Sequence, residues 1–241
     1  MRTLVVGDIH SGLRALRQAL ERAGVTSGDH LVFLGDYVDG WSQAVETVNF
    51  LIRLKSTHKC TFLRGNHDEL CHDWLSTGED NPVWFQHGGK TTMESYSDAD
   101  RSTLRSHIEF YKDLQNYYLD ESNRLFLHAG FTNLKGVAHE YFTKTFYWDR
   151  TLWELALSLN PVLSQDNVLY PQRLTNYSEI YIGHTPVTRI GKTVPQHAAN
   201  VWNIDTGAAF KGPLSIMDVA TKEIWQSEPV YTLYPNENGR N

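Results

Sequence analysis

The sequence is poor in cysteine, in long apolar runs and in clustered positive charge, and each shortage excludes a class of protein. Cys60 and Cys71 are its only cysteines, eleven residues apart and outside any Cys-x-x-Cys pattern. A disulfide framework or a structural zinc site is therefore not expected, and two free thiols suit a reducing, cytoplasmic setting. No segment approaches the ~18 continuous apolar residues of a membrane span. The opening run Leu4-Val5-Val6 stops at Gly7-Asp8, too soon for the apolar core of a signal peptide. Lysine and arginine total 22 against 28 acidic residues, with a net charge of -6 and no basic run, so no nucleic-acid groove is expected. Low-complexity segments and internal repeats are also missing. What remains is an ordinary globular composition over 241 residues, enough for one domain with a sizeable core.

A strand, loop and helix rhythm runs through the first third. Thr3–Val6 is a short β-type run, and Leu13, Leu16, Ala19, Leu20 and Ala23 then recur at helical spacing. His30–Leu34 and Cys60–Leu63 are further strand-like runs, separated by a helical pattern over Val45–Leu54. Such connections imply parallel strands with helical crossovers, an α/β layer architecture whose binding crevice lies at the carboxyl ends of the strands. Residues 72–122 break the rhythm and read as an insertion capping that crevice, with a helical stretch near Thr103–Leu114. The strand pattern resumes at Leu125-Phe126-Leu127 and again at Glu179–Ile182, with a helix over Thr151–Leu159 between them. From Ala199 to Gln226 the alternation suggests a β-meander that turns near Ala220-Thr221-Lys222. One domain is expected over residues 1–241.

Five short motifs carry the chemistry: Gly7-Asp8-Ile9-His10, Gly35-Asp36-Tyr37-Val38-Asp39, Gly65-Asn66-His67-Asp68, His128-Ala129-Gly130 and Gly183-His184-Thr185. Each directly follows an apolar run. Glycine lets the chain turn sharply off a strand end, so the next side chain faces the crevice. One such motif is an ordinary turn; five in order, each at a strand end, form a site. Carboxylate, imidazole and amide oxygen without thiolate suit manganese, iron or zinc.

This pattern resembles the calcineurin-like metallophosphoesterases, and within them the phosphoprotein phosphatases of the small bacterial and phage type. The symmetrical dinucleoside-tetraphosphate hydrolases are similar too. The resemblance implies an α/β fold, a four-layer β-sandwich flanked by helices, with an inserted cap. It implies two divalent metal ions, with manganese expected and iron or zinc as alternatives. Asp8, His10 and Asp36 would hold one, and Asp36 would bridge to a second held by Asn66, His128 and His184. Such a centre clamps a phosphoryl group and activates a water near neutral pH. His67 would protonate the leaving oxygen, with Asp39 orienting its imidazole.

Gly183-His184-Thr185 lacks the second histidine of the nuclease-like Gly-His-x-His string, which favours the phosphatase branch. Where family phosphatases read Gly-Asp-x-Val-Asp-Arg-Gly, this chain has Gly40 and Trp41, so a phosphate-binding arginine is missing there. Arg150, in Trp148-Asp149-Arg150, is the expected substrate clamp, and Arg64 a second substrate-binding candidate or a support for the site. His87-Gly88-Gly89 competes with His128 as a metal ligand, but Trp84-Phe85-Gln86 is a poor strand end, and the Trp84–Tyr96 loop reads instead as shaping the substrate entrance. Asp205-Thr206-Gly207 reads as support for the site. The expected activity is metal-dependent hydrolysis of phosphomonoesters, of a phosphoprotein or a small molecule. The alternatives are a dinucleoside-tetraphosphate hydrolase and a phosphoryl-binding module without catalysis.

Overall fold

The alternation in each strand run sorts its side chains onto two faces, and two sheets result. The computed structural model describes residues 1–240. Parallel strands β1 (Thr3–Val6), β2 (His30–Phe33) and β3 (Lys59–Phe62) begin the first sheet. The second contains β4 (Tyr117–Leu119), β5 (Arg124–Leu127), β6 (Glu179–Ile182), β7 (Gln196–Ala198) and β8 (Val201–Asn203), in the order β4-β5-β6-β8-β7. The chain then returns to the first sheet through β9 (Ser215–Asp218) and β10 (Ile224–Gln226), giving the order β10-β9-β1-β2-β3. The last part of the chain is therefore not one meander. Its two antiparallel hairpins lie in different sheets, with the expected turn at 220–222 closing the second. Alternation alone does not tell which sheet a hairpin will join.

Val5 and Val32 of the first sheet meet Phe126 and Tyr181 of the second in a central core, joined by Ile204 and Met217. Their neighbours point the other way. Leu4, Val6, Leu31 and Phe33 pack under helices α1 (Leu13–Arg22) and α2 (Ala44–Lys55). Leu125, Leu127, Ile180 and Ile182 pack with Leu152, Trp153 and Ala156 on the far side of the second sheet. The order is helices, sheet, sheet, helices, the expected four layers.

Helix α3 (Asn66–Thr77) follows β3 directly, and α4 (Pro82–Trp84), α5 (Lys90–Ser95) and α6 (Arg101–Lys112) follow it. Trp84, Tyr96, Phe110 and Tyr111 from this stretch are buried in the same cluster as α1 and α2. Helices α7 (Thr145–Trp148) and α8 (Thr151–Ser158) cover the second sheet. Both cysteines are free, Cys71 buried and Cys60 half-buried. Among the described residues no helix is long and apolar enough to cross a membrane.

One ion pair ties the first strand to the entry of the second. Arg2 donates from Nε and Nη2 to the two carboxylate oxygens of Asp29 at 3.0 and 2.7 Å, and Thr26 N donates to the same carboxylate at 2.9 Å. These donors hold the Asp29 carboxyl well below the usual carboxylate range. Arg2 is about a third exposed, so solvent screens part of the effect. Asp29→Asn is expected to cost about 1–2 kcal/mol near neutral pH, read by urea denaturation. Because the folded-state pKa is depressed, this stabilisation is complete above the unfolded value of ~3.9 and fades as pH falls through the folded one. The wild type and the variant should therefore converge below about pH 4. A gap of constant size down to pH 2.5 would contradict this assignment.

Candidate active site

All five motifs meet at one end of the sandwich, where β1, β2, β3, β5 and β6 each finish. The turns there are too tight for ordinary residues. A Cβ on Gly65 would lie 2.1 Å from Asp36 Oδ1, and one on Gly183 would lie 2.0 Å from Asp8 Oδ1. His10, Asp36, Asp39 and His184 hold positive φ values of 51, 54, 69 and 66°, in the left-handed region that costs a side chain energy. Hydrogen bonds overdetermine these turns. The Asp68 carboxylate accepts the N–H groups of Asp36, Tyr37 and Gly65, each at 2.8 Å. Asp8 Oδ2 accepts His184 N–H at 3.0 Å, and His10 N–H donates to the Asp36 carbonyl at 2.9 Å.

Asp36 lies at the centre. Its Oδ2 is 3.5 Å from His10 Nε2 and 3.4 Å from His128 Nε2, between the two rings. Asp8 Oδ2 lies 3.9 Å from the same His10 nitrogen. On the other side, Asn66 Oδ1 is 3.2 Å from His128 Nε2 and 2.9 Å from His184 Nδ1. The outer nitrogens of two rings are occupied: His10 Nδ1 lies 2.8 Å from the Asp39 carbonyl and His128 Nδ1 2.9 Å from the Leu34 carbonyl. Each contact turns the opposite nitrogen inward, as histidine ligands require.

These residues fit divalent cations. Ligand atoms of Asp36, His128 and His184 lie within 4.8 Å of one another, as do those of Asp36, His10 and His67. Asp8 Oδ1 and His184 Nε2 are buried without a partner. Burial, and then the charge of Asp205, pushes the Asp8 carboxyl well above its usual range; burial and Asp36 carry Asp68 to about 7, and burial raises Asp205 to about 6. Burial opposes charge on His128 too, yet Asp36 and Asp8 raise it to about 9. Burial holds His10 and His184 well below the usual histidine value, leaving neutral rings with free lone pairs. Crowded carboxylates beside neutral imidazoles, without thiolate, are a donor set for oxygen- and nitrogen-preferring divalent ions.

Beside this centre, His67 Nδ1 lies 2.6 Å from Asp39 Oδ2. That carboxylate is completely buried and has two further donors, Trp84 Nε1 at 2.5 Å and Thr92 Oγ1 at 2.6 Å. Both come from the segment between α3 and α6. A Cβ on Gly89 would fall 2.3 Å from the Trp84 ring, so this glycine lets the indole reach Asp39.

A cleft of about 180 Å³ opens over the centre, lined by Asp36, Asn66, His67, His87, Arg150, His184, Arg189 and Arg240 among others. Arg150, the expected clamp, donates from Nη1 to Thr185 Oγ1 at 3.2 Å. Burial lowers its pKa, and the charges of Arg189 and Arg240 lower it further. Arg64 is not brought into the cleft; its guanidinium donates to the Tyr111 carbonyl at 3.0 Å. His87 reaches the rim and not the donor cluster. Sequence reasoning did not single out Arg189 or Arg240, which belong to no motif. Trp84 was read only as part of an entrance loop, since neither it nor Thr92 follows a strand end.

The geometry agrees with what the chain is similar to. A Bis(5'-nucleosyl)-tetraphosphatase PrpE [asymmetrical] from Anoxybacillus flavithermus is 26% identical over 229 residues, covering 88% of each chain. Serine/threonine-protein phosphatase 1 from Salmonella typhimurium is 25% identical over 217 residues, covering 88% of this chain and 89% of its own. Among solved structures, a putative diadenosine tetraphosphatase superposes with a TM-score of 0.65 at 17% identity, covering 93% of this chain and 92% of its own. The calcineurin-like phosphoesterase family model matches residues 1–206, a span that includes all five motifs. With the metal-donor cluster and the His67–Asp39 pair in place, the chain belongs to the calcineurin-like phosphoesterases and is a phosphoric ester hydrolase.

Proposed function

We propose that the chain is a dinuclear-metal-dependent phosphatase acting on phosphomonoesters, of a phosphoprotein or a small molecule. The carrying observation is the His67–Asp39 pair at 2.6 Å beside a donor cluster in which Asp36 lies between His10 and His128. Asp8, His10 and Asp36 would hold one cation; Asp36, Asn66, His128 and His184 would hold the other. Bound there, divalent ions supply Lewis-acid polarisation and a water of lowered pKa, with manganese expected and iron or zinc as alternatives.

The chain's own residues do the rest. Arg150 presents N–H donors to a phosphoryl oxygen, a geometry that a guanidinium fork suits. His67, fixed through Nδ1, would give the Nε2 proton of its protonated ring to the departing oxygen and be left neutral. Asp39 keeps the ring in place and balances its charge. Trp84 and Thr92 keep Asp39 in place in turn. A positioned acid of this kind is worth ~10²–10⁴-fold in rate.

One observation favours a second reading, hydrolysis of a dinucleoside tetraphosphate. Arg150, Arg189 and Arg240 all face one cleft, more cations than one phosphoryl group requires. The deciding experiment is product analysis with the manganese-reconstituted protein. Phosphate release from *para*-nitrophenyl phosphate and a phosphopeptide panel is the expected result. Turnover of tetraphosphates alone, with nucleotide products, would replace the first reading with the second. No turnover of any of them, with manganese bound, would leave a phosphoryl-binding module.

A further inference from the structure

Three guanidiniums on the cleft rim lack the partners that surface arginines ordinarily find. Among the described residues none of Arg150, Arg189 and Arg240 makes an ion pair. The one side-chain hydrogen bond that they donate is from Arg150 to Thr185. Arg189 lies just after the His184 motif, and Arg150 beside it. Arg240 arrives from far along the sequence, and the way it is delivered is specific.

The segment after α9 (Val230–Leu233) is strapped onto the loop that follows Asp39. Tyr234 is buried and stacks on Trp41 with ring centroids 5.1 Å apart, and its hydroxyl donates to Gln43 at 2.7 Å. The Glu237 carboxylate accepts both N–H and O–H of Ser42, each at 2.8 Å. Gly239 has φ +59°, and a Cβ there would lie 2.7 Å from the Trp41 ring. Arg240 N–H donates to the Ala209 carbonyl at 2.9 Å, fixing where its side chain starts. The stem then passes two glycines. Its Cγ is 3.6 Å from where a Cβ of Gly40 would be and 3.3 Å from where one of Gly88 would be. Its guanidinium carbon lies 5.4 Å from the centre of the Phe210 ring, and the residue lines the cleft with Asp36 and His67.

Gly40 follows Asp39 directly, at φ +138°, and has no side chain to offer a substrate. Arg240 fills the corner that it leaves. We propose that Arg240 is a substrate-binding residue, carried by the 234–240 strap to grip a phosphate oxygen in the cleft together with Arg150. The inference rests on the cleft being a phosphoryl-ester site, and it names a residue that supplies the cation missing at Gly40.

The test is titration of inorganic phosphate into the manganese-loaded full chain by calorimetry, beside turnover of whichever ester proves to be a substrate. Arg240→Ala should weaken phosphate about 10- to 100-fold, the ordinary value of a charge-assisted pair. Arg240→Lys should recover part of this, because it restores charge but not the fork. KM should rise by a similar factor in the alanine variant, while kcat changes by less than about threefold, since the contact exists before and during reaction. Bound manganese should be unchanged in both variants. Equal phosphate affinity in wild type and Arg240→Ala would overturn the proposal. So would a metal-loaded wild type that binds no phosphate. If phosphate binding depends on Arg240 but no monoester is turned over, the residue assignment stands and the phosphomonoesterase reading alone fails.

Discussion

His67→Asn is expected to lower kcat by ~10²–10⁴-fold and to leave the bound metal at two equivalents. The second half of that statement is the stringent one. Ligand atoms of His67, His10 and Asp36 all lie within 4.8 Å, so on distance alone His67 could be a metal ligand rather than an acid. An Nδ1 contact would suit either role, but a buried carboxylate partner suits an acid, whose ring must carry a proton and a charge. The Asp39 carboxylate, 2.6 Å from Nδ1 through Oδ2 and gripped by Trp84 at Oδ2 and Thr92 at Oδ1, would hold the ring and balance the charge of its protonated form. Asp8 supplies the His10 side with a carboxylate whose Oδ1 is buried and unpartnered, so that side does not need His67 to complete its set. The two roles also differ in their dependence on the leaving group. An acid matters most when the departing oxygen is strongly basic. The deficit should therefore be large for an alkyl phosphate or phosphoserine peptide and much smaller for *para*-nitrophenyl phosphate. Metal content by atomic emission, measured beside these rates, separates the cases. Loss of one equivalent with a uniform deficit across substrates would make His67 a ligand.

The sequence revealed the donor set more fully than its surroundings, for a physical reason. The candidate donors sit at strand ends, where an apolar run stops and glycine turns the chain, so position and chemistry coincide within a few residues. Asp8, His10, Asp36, Asn66, His128 and His184 were legible in that way, and the structure gathers all six. The four layers followed from the family resemblance, since continuous apolar runs such as Leu4-Val5-Val6 do not show which side chain faces which core. The groups that hold the site in place follow no such rule. Trp84 and Thr92 reach Asp39 across 45 and 53 residues of sequence. Arg240 crosses the whole chain to stand beside Gly40. Nothing local in Tyr234–Arg240 distinguishes a strap from an ordinary polar tail, and only the packing of Tyr234, Glu237 and Gly239 on the 41–43 loop reveals it. Arg64 is the opposite case. Its place before Gly65 made it a candidate, but its guanidinium donates to the Tyr111 carbonyl of α6 and does not line the cleft.

Asp36→Asn should have the broadest effect of any single substitution, because Asp36 alone belongs to both donor triads. Its Oδ2 lies between His10 and His128 at 3.5 and 3.4 Å. Its carboxyl is held well below its usual range. Burial opposes its charge, but the charge and hydrogen bond of His128 lead the groups that outweigh burial. An amide keeps the size of the side chain, and its oxygen can still accept the His67 N–H that now donates to Asp36 Oδ1 at 3.1 Å. The turn itself is held through the backbone N–H of Asp36 on Asp68, which the substitution does not touch. The fold should therefore survive while both metal equivalents are lost. Losing several kcal/mol of Lewis-acid stabilisation corresponds to a fall of about 10³–10⁴-fold in kcat/KM. A second readout needs no substrate. Manganese at 100 times its Kd should stabilise the wild type by about 2.7 kcal/mol for each site it fills, and the variant not at all. Asp8→Asn should behave differently, losing the equivalent on the His10 side and keeping the one bound by Asn66, His128 and His184. If Asp36→Asn retained two equivalents and its manganese-dependent stabilisation, the carboxylate would not be the bridge, and the two triads would have to be independent sites.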